Sequence, residues 1–236
     1  MLFRSRLVHR TRLPSSTTDP EKCYLERYYR LSIEQGGRVR EKLREGVERA
    51  IILLAEGFLN HPANDALHTR LQSTLTPQDL YHELLRLVYR ILFLLVAEAR
   101  GLIGGEEAPL YLPYYSVSRL RRLMDKQDAY TEHDDLWCGL LVLWKVLADQ
   151  DLARCLGLTA LNGDLFKPIL LDSRFVANRD LLRAFWHFLY YQDEAAKGLR
   201  RVNYLRLDVE ELGSVYESLL DNAPEVGKAE RRWTFG

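Results

Sequence analysis

Apolar residues along this chain recur at the spacing of a helix. Leu43, Val47, Ala50, Ile51, Leu54 and Phe58 follow one another mostly at intervals of three and four, which places them on one stripe of an α-helix from about Val39 to Leu59. Thr76-Pro77 supplies an N-cap with proline in the first turn and acidic Asp79 after it, so a long helix should run from there to about Arg100 and stop at Gly101. Ser116 can cap a helix through Met124, Asp134 or Asp135 one through Ala148, and Asn178 one through Tyr191. Asp208 with Glu211 three residues on makes a capping box for a last helix to about Leu220.

Strand signals are few. The best is the short apolar/polar alternation Val202-Asn203-Tyr204-Leu205-Arg206-Leu207. The pattern therefore predicts a mainly α fold: a multi-helix domain around a long buried central helix at about 77–100, with at most a minor short strand pair. Asn162-Gly163-Asp164 reads as a turn and Gly104 to Pro109 as a loop. No fixed-period repeat or low-complexity tract appears, which disfavours a solenoid. The segment Tyr81–Arg100 is apolar on most of its circumference, because Glu83, Arg86, Arg90 and Glu98 fall within an arc of about 120° at 100° per residue. Such an arc can face a ligand, but residues at these spacings more often form internal or rim ion pairs.

Composition narrows the class. With 236 residues, 47% hydrophobic and 28% charged, and 33 basic against 33 acidic side chains, the chain is globular rather than disordered and cannot hold nucleic acid by bulk positive charge. The charge is uneven: residues 1–50 carry 12 Lys/Arg against 7 Asp/Glu, leaving 21 against 26 for the rest. A solvated helix face is the commoner origin of such a bias, and contact with a polyanion the alternative. Residues 1–18, with Arg4, Arg6, Arg10 and Arg12, read as a basic arm without the apolar run of a secretory signal. Residues 19–224 read as the helical domain and 225–236 as a tail. Cys23, Cys138 and Cys155 form no CxxC pair, which fits a reducing cytoplasm rather than a disulfide framework. The most apolar stretch, Leu84–Ala99, is broken by Arg86, Arg90 and Glu98, so no membrane segment is expected.

Chemistry-bearing patterns are sparse. Tyr114-Tyr115-Ser116-Val117-Ser118-Arg119-Leu120-Arg121-Arg122 sets adjacent aromatics and three arginines at a helix start. Guanidiniums pair phosphates, helix-start N–H groups accept anions and tyrosines stack on bases, so Tyr114, Tyr115, Arg119, Arg121 and Arg122 are the best DNA-binding candidates. A tyrosine pair packed into the core ahead of a solvated helix is the competing reading. The six histidines make no HxxxH or HExxH arrangement, and His133-Asp134-Asp135 fits a helix cap better than a metal site. Asp19-Pro20-Glu21-Lys22 lacks the separate carboxylate and strand context of a two-metal nuclease. With no phosphate loop and no GxSxG nucleophile, no catalytic, cofactor-binding or metal-binding residue is expected in this chain.

The strings Tyr28–Ser32, Lys42–Glu48, Leu84–Leu102, Tyr115-Ser116, Leu161–Phe166 and Glu210–Leu220 resemble the helical region ahead of the methyltransferase domain in large type IIG restriction-modification methylases and related phage-defence methylases. The likeness spans roughly Cys23 to Pro224 and departs at Ala99, where the family often carries an acid. It implies a DNA-contacting or bracing role in a DNA adenine-N6 methyltransferase, with double-stranded DNA as partner and S-adenosylmethionine as the cofactor of the full-length protein. The family's Tyr-Tyr-Thr-Pro segment, glycine motif and Asn-Pro-Pro-Tyr do not occur here, so the tail from 225 would lead to a methyltransferase domain lying outside this sequence. The chain alone is then expected to transfer no methyl group and cleave no DNA. Any DNA affinity it has should be weak, largely sequence-independent and steeply salt-sensitive. A helical module that stands alone and docks on other defence-system subunits is the alternative from another functional class.

Overall fold

Thr76 starts the helix around which the rest is built. In the computed structural model its Oγ1 accepts from the Asp79 N–H at 3.1 Å while its own N–H donates to Asp79 Oδ2 at 2.9 Å, a reciprocal cap that satisfies two otherwise orphaned donors. The helix ends as the sequence suggests. Gly101 adopts φ +67°, and the Gly101 and Leu102 N–H groups return to the Glu98 and Ala97 carbonyls at 3.1 and 2.8 Å, the pattern only a left-handed residue after the last turn allows.

The structure describes residues 24–105, 108–161, 163–193, 197–207, 209–221, 225–226 and 233–234. The basic arm, Asp19 to Lys22, Cys23, Asn162 and Asp208 lie outside them. The chain divides into two compact units, Met1–Lys42 and Leu43–Gly236. In order, the helices are α1 (Tyr24–Asn60), α2 (Asp65–Ser73), α3 (Pro77–Ala99), α4 (Val117–Met124), α5 (Asp135–Ala148), α6 (Gln150–Cys155), α7 (Asn178–Leu189) and α8 (Val209–Asp221). A π-helical turn occupies Tyr111–Tyr115, and single 3-10 turns lie at Pro62–Asn64, Gln127–Ala129, Asp164–Phe166 and Leu170–Ser173. Two antiparallel pairs, β1 (Tyr190–Asp193) with β2 (Gly198–Arg201) and β3 (Glu225–Val226) with β4 (Trp233–Thr234), are the described strands. The fold is mainly α, and among the described residues no helix is long and apolar enough to cross a membrane.

In the second unit the predicted stripe of α1 is fully interior: Leu43, Val47, Ala50, Ile51, Leu54 and Phe58 are all at most 1% exposed. α3 is buried on most of its circumference, and α8 is tied to it by the Tyr81 hydroxyl donating to the Leu219 carbonyl at 2.7 Å and by the Tyr89 and Tyr216 rings 4.9 Å apart. The charged arc of α3 faces protein. Arg90 is fully buried and Glu83 accepts from the Leu170 N–H. Both hold the segment 164–173 against the helix.

Three local expectations are corrected. Val202–Leu207 is a turn rather than a strand. Its alternate burial arises because Val202 N–H reaches the Leu189 carbonyl at 2.9 Å and the Tyr204 hydroxyl reaches the Phe188 carbonyl at 2.7 Å, pinning a tight turn onto the end of α7. The strand pair lies just upstream, with β1 starting at Tyr190 where α7 was expected to continue. Neither Asp134 nor Asp135 accepts from the first turn of α5, and Asn178 does not cap α7: Asn178 Oδ1 accepts from the Leu136 N–H at 3.1 Å, so the residue caps α5 from another element.

α1 and α7 run antiparallel with little space between them. A Cβ on Gly46 would stand 2.5 Å from the His187 carbonyl oxygen, and one on Gly57 would stand 2.9 Å from Val176 and Asp180 side-chain atoms. Gly46→Ala is expected to destabilise by about 1–3 kcal/mol, outweighing the helix propensity it gains, because a backbone oxygen cannot rotate aside. Gly213→Ala on α8 meets nothing within 4 Å and should gain up to about 1 kcal/mol. Thermal melts of both variants check the pair, and a stabilised Gly46→Ala protein contradicts the close approach.

Candidate functional site

Five residues were singled out from the sequence at the start of α4, and the structure sends them in different directions. The helix-start N–H groups are already occupied. Glu98, from the last turn of α3, accepts from the Val117 and Ser118 N–H groups at 2.8 and 2.9 Å, from the Ser118 hydroxyl at 2.6 Å and from the Tyr111 hydroxyl at 2.7 Å. Ser116 Oγ takes the Arg119 N–H at 3.1 Å. A carboxylate at this end of a helix is favoured by the macrodipole, so the anion that α4 was expected to bind is an internal one.

Tyr114 is 61% exposed, whereas Tyr115 is half-buried and packs on the core. Arg122 Nη2 reaches the Leu112 and Pro113 carbonyls at 3.3 and 3.4 Å, which places it against the turn that presents Tyr114. Arg119 points elsewhere. Its guanidinium stands beside Gly139 of α5, its Nε is buried without a hydrogen-bond partner, and burial lowers its pKa while Asp135 opposes that shift. It is a packed cation rather than a surface one.

Arg121 faces a recess of about 480 Å³. The walls come from the end of α3 (Leu95, Glu98, Ala99), from Ser118 and Arg121 of α4, from Leu189 closing α7, and from the Arg201–Leu205 segment. The last wall is fixed: Arg100 Nη2 donates to the Leu207 carbonyl at 2.6 Å, in addition to the Val202 and Tyr204 bonds already described. Leu205 is its 60% exposed apolar rim, and Leu95, Leu189 and Val202 back it from the core with at most 5% of their surface exposed. Neither the Arg121 nor the Arg201 guanidinium has a hydrogen-bond or ion-pair partner among the described residues.

Asn203 lies inside, and Arg201 just before, the segment whose alternation reads as a strand, which hides both as site residues. The basic run Lys197-Gly198-Leu199-Arg200-Arg201 was the available signal. The recess therefore offers two guanidiniums and one amide beside the exposed Leu205, and its one carboxylate, Glu98, has four donors on it already. That combination suits an anion with an apolar part. Among the described residues no three His, Cys, Asp or Glu side chains gather as metal ligands, and Cys138 and Cys155 are exposed thiols. No protein-family model, curated protein or solved structure matches the chain.

Proposed function

We propose that this chain is the helical DNA-contacting or bracing region of a restriction-modification DNA adenine-N6 methyltransferase. The observation that carries the reading is the pair of guanidiniums, Arg121 and Arg201, unpartnered among the described residues and turned to an open recess, with Arg122 exposed in the last turn of α4 and Tyr114 exposed on the turn before that helix. Extruding an adenine from the duplex costs a few kcal/mol and requires protein contacts on the flanking DNA. Cations with no internal partner are the groups free to make them. The likeness of Leu84–Leu102 and Glu210–Leu220 to such enzymes adds support, since these strings are α3 and α8, packed on one another. S-adenosylmethionine and the catalytic motif belong, on this reading, to the methyltransferase domain and not to these helices.

The test is fluorescence anisotropy of a labelled duplex across a salt series. Each phosphate contact contributes a slope of about −0.9 in log affinity against log salt, so Arg121→Ala/Arg122→Ala should weaken binding and reduce the slope by about 1–2 while helix content is kept. Arg119 is left in place because it is packed. Unchanged affinity and slope overturn the reading.

A second reading, a stand-alone module that docks on defence-system subunits, is favoured by one observation. Leu102, Leu110 and Leu112 are 73%, 50% and 44% exposed on the α3–α4 connection, beside Tyr114, and apolar side chains clustered on a surface mark protein contacts. Leu110→Ser/Leu112→Ser, which adds no charge beside Arg122, separates the two: it should leave DNA affinity intact and abolish a subunit complex.

A further inference from the structure

We propose that the recess between the end of α3, α4 and the Arg201–Leu205 turn is a nucleotide-binding site. Its phosphate would be held by Arg121 and Arg201, and its base would lie against Leu205. This deepens the DNA-contacting reading and rests on it only where the nucleotide is part of a strand.

Three features of the recess point to this class of ligand. Two guanidiniums from different elements, α4 and the end of β2, face it without a partner among the described residues, and guanidiniums pair phosphate oxygens in a planar, two-pronged geometry that ammonium groups cannot reproduce. The apolar side of the recess is the 60% exposed Leu205, which a bare inorganic anion would leave unused but a flat heterocycle would cover. Asn203 stands at the wall with a side chain carrying both donors and an acceptor, the requirement for meeting the edge of a base. A volume of about 480 Å³ lies within the range of small-molecule sites, roughly 300–1,000 Å³. A metal cation is a poor fit, because Glu98 has its oxygens filled by four donors and the remaining charges are positive. The bonds from Arg100, Tyr204 and Val202 fix the walls before any ligand arrives, which limits the ordering that binding must impose.

The experiment is calorimetric titration of the full chain with deoxyadenosine monophosphate and, separately, with inorganic phosphate, alongside duplex anisotropy. Each is repeated on Arg121→Ala/Arg201→Ala, with Arg206→Ala as a surface control and circular dichroism confirming the fold. The mononucleotide should bind at least tenfold more tightly than phosphate. The paired substitution should weaken it by about a hundredfold, tenfold for each charge-assisted contact, and the control should leave it unchanged. Loss of duplex binding in the paired variant without detectable mononucleotide binding assigns the site to a nucleotide within a strand and supports the proposal. Phosphate binding as tightly as the mononucleotide overturns it, since the apolar rim at Leu205 would then contribute nothing. Duplex binding that survives the paired substitution while the mononucleotide does not bind overturns it too, and leaves the DNA-contacting reading standing on Arg122 and Tyr114.

Discussion

Replacing Arg90 with methionine is expected to lower the unfolding free energy by about 3–5 kcal/mol, the loss typical when one partner of a buried ion pair is removed. The side chain is fully buried in the middle of α3. Its Nε donates to the Leu165 carbonyl at 2.7 Å, Nη1 to the two Asp172 oxygens at 2.9 and 3.2 Å, and Nη2 to the Lys167 carbonyl. The guanidinium also lies 5.6 Å over the Trp144 ring. Burial pulls its pKa below the ordinary value and Asp172 pulls it back, so the carboxylate is what keeps a charge tolerable there. Methionine fills similar space but leaves two carbonyls and one carboxylate oxygen without their donor. Arg90→Lys keeps the charge and loses the fork, so it should fall between wild type and methionine. Urea titration read at constant slope gives the answer. In a double-mutant cycle with Asp172→Asn the two losses should fall well short of additive, because both variants break the same pair. An unfolding midpoint unmoved by Arg90→Met would show that the 164–173 segment is held by other contacts.

That segment illustrates which parts of the fold could be read from residue order. The stripe on α1 and the Thr76 and Ser116 caps were legible because each is set by residues within about one or two turns of one another, where spacing alone fixes geometry. Arg90 was legible only as a member of a polar arc, and nothing local names Asp172 as its partner. Asn178 has the composition of a cap and is one, but for a helix 42 residues earlier in the chain; residue type survived and address did not. Val202–Leu207 alternates like a strand because a turn pinned at its buried residues also alternates, and the period does not reveal that no neighbouring strand is paired with it. The same limit governs the candidate site. Arg121 was visible as part of a basic cluster, yet its grouping with Arg201 rather than with Arg119 depends on how α4 rolls against α3, α5 and α7. The helix-start N–H groups are one part of the candidate DNA contact, and nothing local in the sequence shows that a carboxylate from α3 occupies them.

Glu98 is therefore the residue on which the arrangement of the site turns, and Glu98→Ala is expected to cost about 2–4 kcal/mol by the following reckoning. Tyr111 is fully buried, and burial together with the adjacent carboxylate pushes its phenol pKa well up; its hydroxyl would be left without an acceptor, a loss of about 1–3 kcal/mol. The charge at the start of α4 adds about 0.3–1 kcal/mol through the macrodipole. The Ser118 N–H is on the exposed side of the cap, where water can replace part of what it loses, whereas the Val117 N–H is on a fully buried residue and adds to the cost. Glu98→Gln should cost roughly half as much as alanine, because one oxygen still accepts while the amide nitrogen turns donors toward donors. Beyond global stability, the substitution should loosen α4 against α3 and with it the position of Arg121 at the recess. Hydrogen exchange measures that directly: the Val117 and Ser118 amides should exchange at least tenfold faster in Glu98→Ala, about 1.4 kcal/mol of lost protection for each factor of ten, while amides in the middle of α5 follow only the global change. Equal exchange at Val117 and Ser118 in the two proteins would mean that α4 is anchored by its packing on α7 and that Glu98 is a bystander to the site.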